Sequence, residues 1–181
     1  ETCWTPASLP VGKYTWRVRA KDDNDAESSA SPARPFTILS LTTPWMTTYF
    51  GGNQHWLDIQ DTSNPMCAES RTGPILDEDY GDGSPCESGV SDQWVGDYRA
   101  TVDFLAGDYV FEVEHDDGLK IFLDGESISA MDNASASHVL CPARYLEGEH
   151  ELWVILREDT EQAKVRLSWS VETTQCDLPG T

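Results

Sequence analysis

The chain has 181 residues, which reads as one domain, or one domain plus a fragment, at about 150 residues per domain. Its 12 Lys+Arg stand against 32 Asp+Glu, a formal charge of −20. That balance argues against a nucleic-acid or anionic-membrane partner, which needs clustered bases, and leaves cations open, calcium above all. With 39% hydrophobic residues and 7 Trp, 6 Tyr and 5 Phe, the chain is too aromatic for a disordered acidic segment. No apolar run approaches the ~20 residues of a membrane helix, so no membrane insertion is expected. No basic-then-apolar signal peptide is present, and the chain begins at Glu1, which reads as mature, processed or cut from something longer.

In chain order the period is two almost everywhere. Tyr14, Trp16, Val18 and Ala20 alternate with Lys13, Thr15, Arg17 and Arg19, which predicts a half-buried strand. Asp22 to Asp25 predict a turn. A Ser/Pro/Ala stretch follows, then a short strand around Phe36 and Ile38, and a linker over 40–44. Residues 58–93 show little periodicity and read as a long irregular segment, either functional or stapled. Beyond it, Ala100, Val102 and Phe104 share a face, and so do Tyr109, Phe111 and Val113 after a predicted turn at Ala106-Gly107-Asp108. Leu119, Ile121 and Leu123 run into Asp124-Gly125, a hairpin dipeptide. Leu152, Val154 and Leu156, then Val165, Leu167, Trp169 and Val171, complete the alternation. Short strands separated by turn signals predict an all-β antiparallel sandwich or barrel.

Five cysteines stand at positions 3, 67, 86, 141 and 176. None forms C-x-x-C or sits beside His at zinc-ligand spacing, so zinc is not expected. Cys67 and Cys86 flank a loop rich in Gly, Pro, Asp and Ser that a disulfide would stiffen; buried free thiols are the alternative. Cys3 and Cys176 are the other disulfide candidates. Four paired cysteines plus one left over, with the acidity, read as an exported, extracellular protein.

Two resemblances emerge. Leu9-Pro10-Val11-Gly12-Lys13-Tyr14-Thr15-Trp16-Arg17-Val18-Arg19-Ala20, followed by Pro35-Phe36-Thr37-Ile38, resembles the last strands of a fibronectin type III domain. Residues 1–39 are thus expected to form an incomplete fibronectin/Ig-like β piece, short of the ~100 residues of such a sandwich. From Trp45 to about Val171 the chain resembles the protective antigen domain family, a β-sandwich module of toxins, glycosidases and microbial adhesins. The matching segments are Trp45 with Tyr49-Phe50, Gly81-Asp82-Gly83-Ser84-Pro85, Asp92-Gln93-Trp94 and Gly107-Asp108-Tyr109-Val110-Phe111. The run Asp116-Asp117-Gly118-Leu119-Lys120-Ile121-Phe122-Leu123-Asp124-Gly125 matches the family signature closely. Leu146-Glu147-Gly148-Glu149-His150 and Ala163 to Trp169 follow in family order. The expected boundaries are a sandwich over 45–176 and a tail over 177–181.

The resemblance implies a function. Lectin-type members bring two adjacent Asp to one ion through a cis peptide, and calcium takes six to eight hard oxygen ligands. By this likeness Asp116 and Asp117 are calcium ligands, joined by Gln162, Asp159 and backbone carbonyls of the loop before the closing strand. His115, Glu158 and Glu161 are expected to contact the ligand. Calcium held this way leaves positions open for the vicinal hydroxyls of a sugar. The competing reading makes Asp116-Asp117-Gly118 a plain turn with Gly118 at positive φ. Asp77, Asp79 and Asp82 miss the EF-hand spacing and read as a solvated loop. Asn133-Ala134-Ser135 is an N-glycosylation sequon.

No G-x-S-x-G, H-E-x-x-H or G-K-[ST] motif occurs, and the four His at 55, 115, 138 and 150 form no catalytic pattern. The expectation is therefore a non-catalytic, calcium-dependent carbohydrate-binding or adhesion module of a larger exported protein, its partner a glycan or cell-surface polysaccharide. A filament or surface-layer subunit is the alternative, self-associating by strand donation and locked through Cys3 and Cys176. An accessory module of a secreted enzyme is the third reading.

Overall fold

The computed structural model describes residues 12–38, 40–73, 75–131 and 135–171. Cys3, Cys176 and the 177–181 tail lie outside them. The chain divides into two compact units, residues 1–39 and 40–181.

In the first unit, β1 (Gly12–Trp16) pairs antiparallel with β2 (Arg34–Ile38), Tyr14 opposite Phe36. The predicted strand runs only to Trp16 as a regular ladder. Beyond it, Val18 N–H donates to Ser31 Oγ and Ser31 N–H to the Val18 carbonyl, because serine hydroxyls replace ladder partners there. The predicted acidic turn is present: Asp22 Oδ1 accepts from the Asn24 and Ala26 amides, both at 2.9 Å. Trp16 and Val18 remain 47% and 55% exposed.

The second unit is a nine-stranded antiparallel assembly. Its strands are β3 (Ser40–Leu41), β4 (Trp45–Gly51), β5 (Pro65–Arg71), β6 (Leu76–Gly81), β7 (Trp94–Asp116), β8 (Gly118–Leu123), β9 (Glu126–Met131), β10 (Ala136–Glu158) and β11 (Ala163–Val171). A helical turn, α1 (Gln54–Leu57), follows β4. The order is β5-β4-β7-β10-β8-β9, with β11 between β6 and β7.

Two strands of 23 residues, β7 and β10, serve both layers of the sandwich. The first half of β7 lies between β4 and β10; its second half lies between β10 and β11. The predicted turn at Ala106-Gly107-Asp108 is therefore a bend within one strand, not a reversal. Opposite it, β10 shifts register between Leu146 and Gly148, with Gly148 at φ 85°. A bulge of this kind steepens the twist and lets a strand pass from one layer to the other. Asp124 and Gly125, at φ 51° and 79°, make the predicted two-residue hairpin between β8 and β9.

Two expectations are corrected. Residues 58–93, read as irregular, contain β5 and β6. The alternation in β6 is present but disguised, because inward Glu78 interrupts Leu76 and Tyr80 and is matched by Arg71 at 3.2 Å. Residues 40–44, read as a linker, are stitched to the sheet. Ser40 and Leu41 pair with Asp103 and Val102, and Thr43 Oγ1 accepts from the Thr101 amide at 2.8 Å. The Cys67–Cys86 disulfide forms as expected.

The core is aromatic: Trp45, Tyr49, Trp94, Tyr98, Phe104, Tyr109 and Phe111 are all essentially inaccessible. Burying each large apolar side chain contributes about 1.5–3 kcal/mol. The tyrosine hydroxyls are not orphaned, since Tyr80 bonds both Tyr49 (2.8 Å) and Tyr98 (2.9 Å). This packing fixes the end of β7, and with it the Asp pair.

Candidate functional site

The link from β7 to β8 is Asp116-Asp117, and its peptide bond is cis. Both side chains are half-buried. Two contacts hold Asp117: its carbonyl accepts from His115 Nδ1 at 2.6 Å, and its Oδ2 accepts from the Asp159 amide at 2.8 Å. Burial and then the neighbouring Asp117 charge hold the Asp116 carboxyl above the usual carboxylate range, against a hydrogen bond from Ser135.

Gly118 is not at positive φ, unlike the glycine that the plain-turn reading expects. A Cβ there would meet the Arg157 guanidinium and the Trp56 ring at 3.3 Å. Glycine is present because α1 packs Trp56 against the start of β8. Lys120 Nζ lies 4.1 Å from the Trp56 ring centroid and donates to the Trp56 carbonyl, and the Arg157 guanidinium lies 4.9 Å from the same ring.

Asp159, at the end of β10, connects these parts. Its amide donates to Asp117, its Oδ1 accepts from Asn53 Nδ2 at 2.9 Å, and its Oδ2 accepts from Arg157 Nη2 at 2.9 Å. Both carboxylate oxygens are thus engaged by donors of this chain.

Glu158 continues the inward series Leu152, Val154 and Leu156 and is fully buried opposite Trp94. Neither carboxylate oxygen has a hydrogen-bond partner among the described residues. Burial, followed by the charges of Asp117, Asp116, Asp92 and Asp159, pushes its pKa up to about 8.

His115 is also buried, and burial holds its pKa below the ordinary histidine value. Because a carbonyl only accepts, Nδ1 carries the proton. The ring supports the Asp117 backbone and stacks on His138 at 5.6 Å. Glu161, at φ 76°, and Gln162 are exposed on the β10–β11 loop. Among the described residues no hydrogen bond or ion pair joins either to the Asp pair. Asp77 and Asp79, expected in a solvated loop, have exposed side chains, but both lie in strand β6, paired with β11.

The structure therefore sets His115 and Asp159 against Asp117 and leaves Glu158 within reach of the charges of both Asp; among the described residues no hydrogen bond or ion pair brings Glu161 or Gln162 to them. Sequence reasoning missed Asn53, Trp56, Lys120 and Arg157. Among the described residues, no group of three or more His, Cys, Asp or Glu converges in the manner of a metal cluster. Any cation would rest on the Asp pair with amide and carbonyl oxygens. The donors present fit a hard cation: all are oxygens, and the Glu158 carboxyl beside the pair is buried without a partner among the described residues.

No family model and no curated protein matches the chain. Solved structures do. One is an anti-sigma factor domain-containing protein from Clostridium clariflavum, at 21% identity and a TM-score of 0.58, matched over 85% of this chain and 54% of that one. The chain thus spans about half of that structure's length. A second is the PA14 domain of the antifreeze protein MpAFP (17% identity, TM-score 0.54; 77% of this chain, 88% of that one). A third is the epithelial adhesin 9 A domain from Candida glabrata in complex with Galβ1-3GlcNAc (9% identity, TM-score 0.54; 75% and 84%). A β-glucosidase from Kluyveromyces marxianus also matches, over 72% of this chain and 16% of the enzyme, at 8% identity and a TM-score of 0.50. The chain has a PA14-like fold, an all-β antiparallel sandwich.

Proposed function

We propose that the protein is a non-catalytic, calcium-dependent glycan-binding or adhesion module that works outside the cell. The observation that carries this reading is the concentration of carboxylates at the β7–β8 link. Asp116 and Asp117 stand side by side and half-buried, the buried Glu158 carboxyl feels both charges, and a divalent cation is a natural counter-charge for the pair. Asp116 and Asp117 would hold calcium, with Gln162 or backbone carbonyls of the β10–β11 loop. Asp159 offers its amide to Asp117 and spends its carboxylate on Asn53 and Arg157. Bound calcium would supply coordination positions for paired sugar hydroxyls, and the exposed Glu161 would contact the rest of the sugar. The adhesin-like neighbours support the glycan, and the Cys67–Cys86 disulfide supports an oxidising location.

The test is a glycan array read in millimolar calcium and again with a chelator. Binding that disappears with the chelator and in Asp117→Ala supports the reading. Binding indifferent to both contradicts it.

A further inference from the structure

We infer that Asn53 is a positioning residue for the Asp pair, acting through Asp159, and that the segment carrying it sets cation affinity without contacting the cation. The orientation of the Asp117 carboxylate depends on the Asp159 amide, 2.8 Å from Oδ2. Asp159 lies one residue beyond the ladder, whose last pair is Glu158 opposite Trp94, so the sheet does not hold it. Its side chain does, gripped by Asn53 on one oxygen and Arg157 on the other.

Asn53 is itself diverted from its usual task. It occupies the N-cap position of α1, where asparagine ordinarily caps the helix, yet it makes no side-chain cap bond. Its Nδ2 goes instead to Asp159, 106 residues away in sequence. The orientation of the amide follows from charge, since only an N–H can face a carboxylate. Its Oδ1 is buried and has no partner among the described residues. The segment around it is anchored on β7 and its approach. The Gly52 amide donates to the Gln93 carbonyl at 2.6 Å, His55 Nε2 meets Asp97 at 3.1 Å, and His55 Nδ1 meets the Asp61 carbonyl at 2.6 Å. Asn53 thus transmits a fixed position from β7 to Asp159 and on to Asp117.

The inference rests on the calcium reading for its consequence, and Asn53→Asp separates the roles. An added carboxylate beside a cation strengthens binding if residue 53 is a ligand. A positioning donor replaced by a carboxylate instead repels Asp159 and weakens binding. Two readouts are taken on Asn53→Asp and on the milder Asn53→Ala, each checked for folding by circular dichroism: hydrogen exchange of the Asp159 amide in metal-free protein, and calcium affinity by calorimetry. The expected result is exchange at least ~10-fold faster and affinity about 5–10-fold weaker for Asn53→Asp, with smaller changes of the same sign for Asn53→Ala. Unchanged exchange in both folded variants, or tighter calcium binding by Asn53→Asp, overturns the inference. Faster exchange in protein that binds no calcium even as wild type upholds the positioning role and sinks the calcium reading.

Discussion

Glu158 is a buried carboxyl whose surroundings oppose its charge. The folded protein holds its proton to about pH 8, whereas the unfolded chain releases it in the ordinary glutamate range near 4.5. Between those values the folded state binds more protons than the unfolded state, so stability falls as pH rises. The metal-free protein should therefore lose melting temperature from about pH 5 to pH 8, and Glu158→Gln should flatten that slope. Parallel slopes in thermal melts of the two proteins would contradict the assignment. The sequence reads Glu158 as a ligand contact in the loop before the closing strand, whereas it is the buried last residue of β10. It extends the series Leu152, Val154, Leu156, and a strand pattern that ends on a charge ordinarily reads as having reached solvent. Asn53 was illegible for a different reason: its partner is distant in the chain, and asparagine before a short helix reads as a cap.

At the scale of elements, the sheet was read well where one face is apolar without interruption. The strands β8 and β11 alternate as written, and Asp124-Gly125 signals the hairpin from β8 to β9 in two residues. The pattern failed where inward polar residues are matched across the sheet, as with Glu78 and Arg71, and at the bend in β7, where a glycine signals a turn but the partner strand absorbs the change. Gly96 tests the tightness of this packing. A Cβ there would lie 2.7 Å from the Tyr98 hydroxyl and 2.8 Å from its ring, so the buried tyrosine occupies the space of a side chain. Gly96→Ala should displace Tyr98 from its bond to Tyr80 and cost about 1–3 kcal/mol in a denaturant titration. A neutral substitution would mean that Tyr98 has room to move.

For the molecule as a whole, charge and fold divide along the chain. Residues 1–39 carry five acids and five bases, so the full −20 belongs to the second unit. The spaced segments from Trp45 to Trp169 made the PA14-like sandwich legible at whole-domain scale, because each falls on a strand or tight turn that the architecture requires. The ligand of that sandwich is less legible, since the proposed cation site would use only a few residues on the β7–β8 link and the β10–β11 loop, beside a segment no motif names.

Calorimetric titration of chelator-stripped protein with calcium, wild type beside the Asp116→Ala/Asp117→Ala double variant, decides whether the Asp pair holds a cation. The expectation is one site of micromolar to millimolar strength in the wild type, within the range of extracellular calcium modules, and none in the variant. No heat and no rise in melting temperature with calcium in the wild type, or an isotherm unchanged in the double variant, would contradict it.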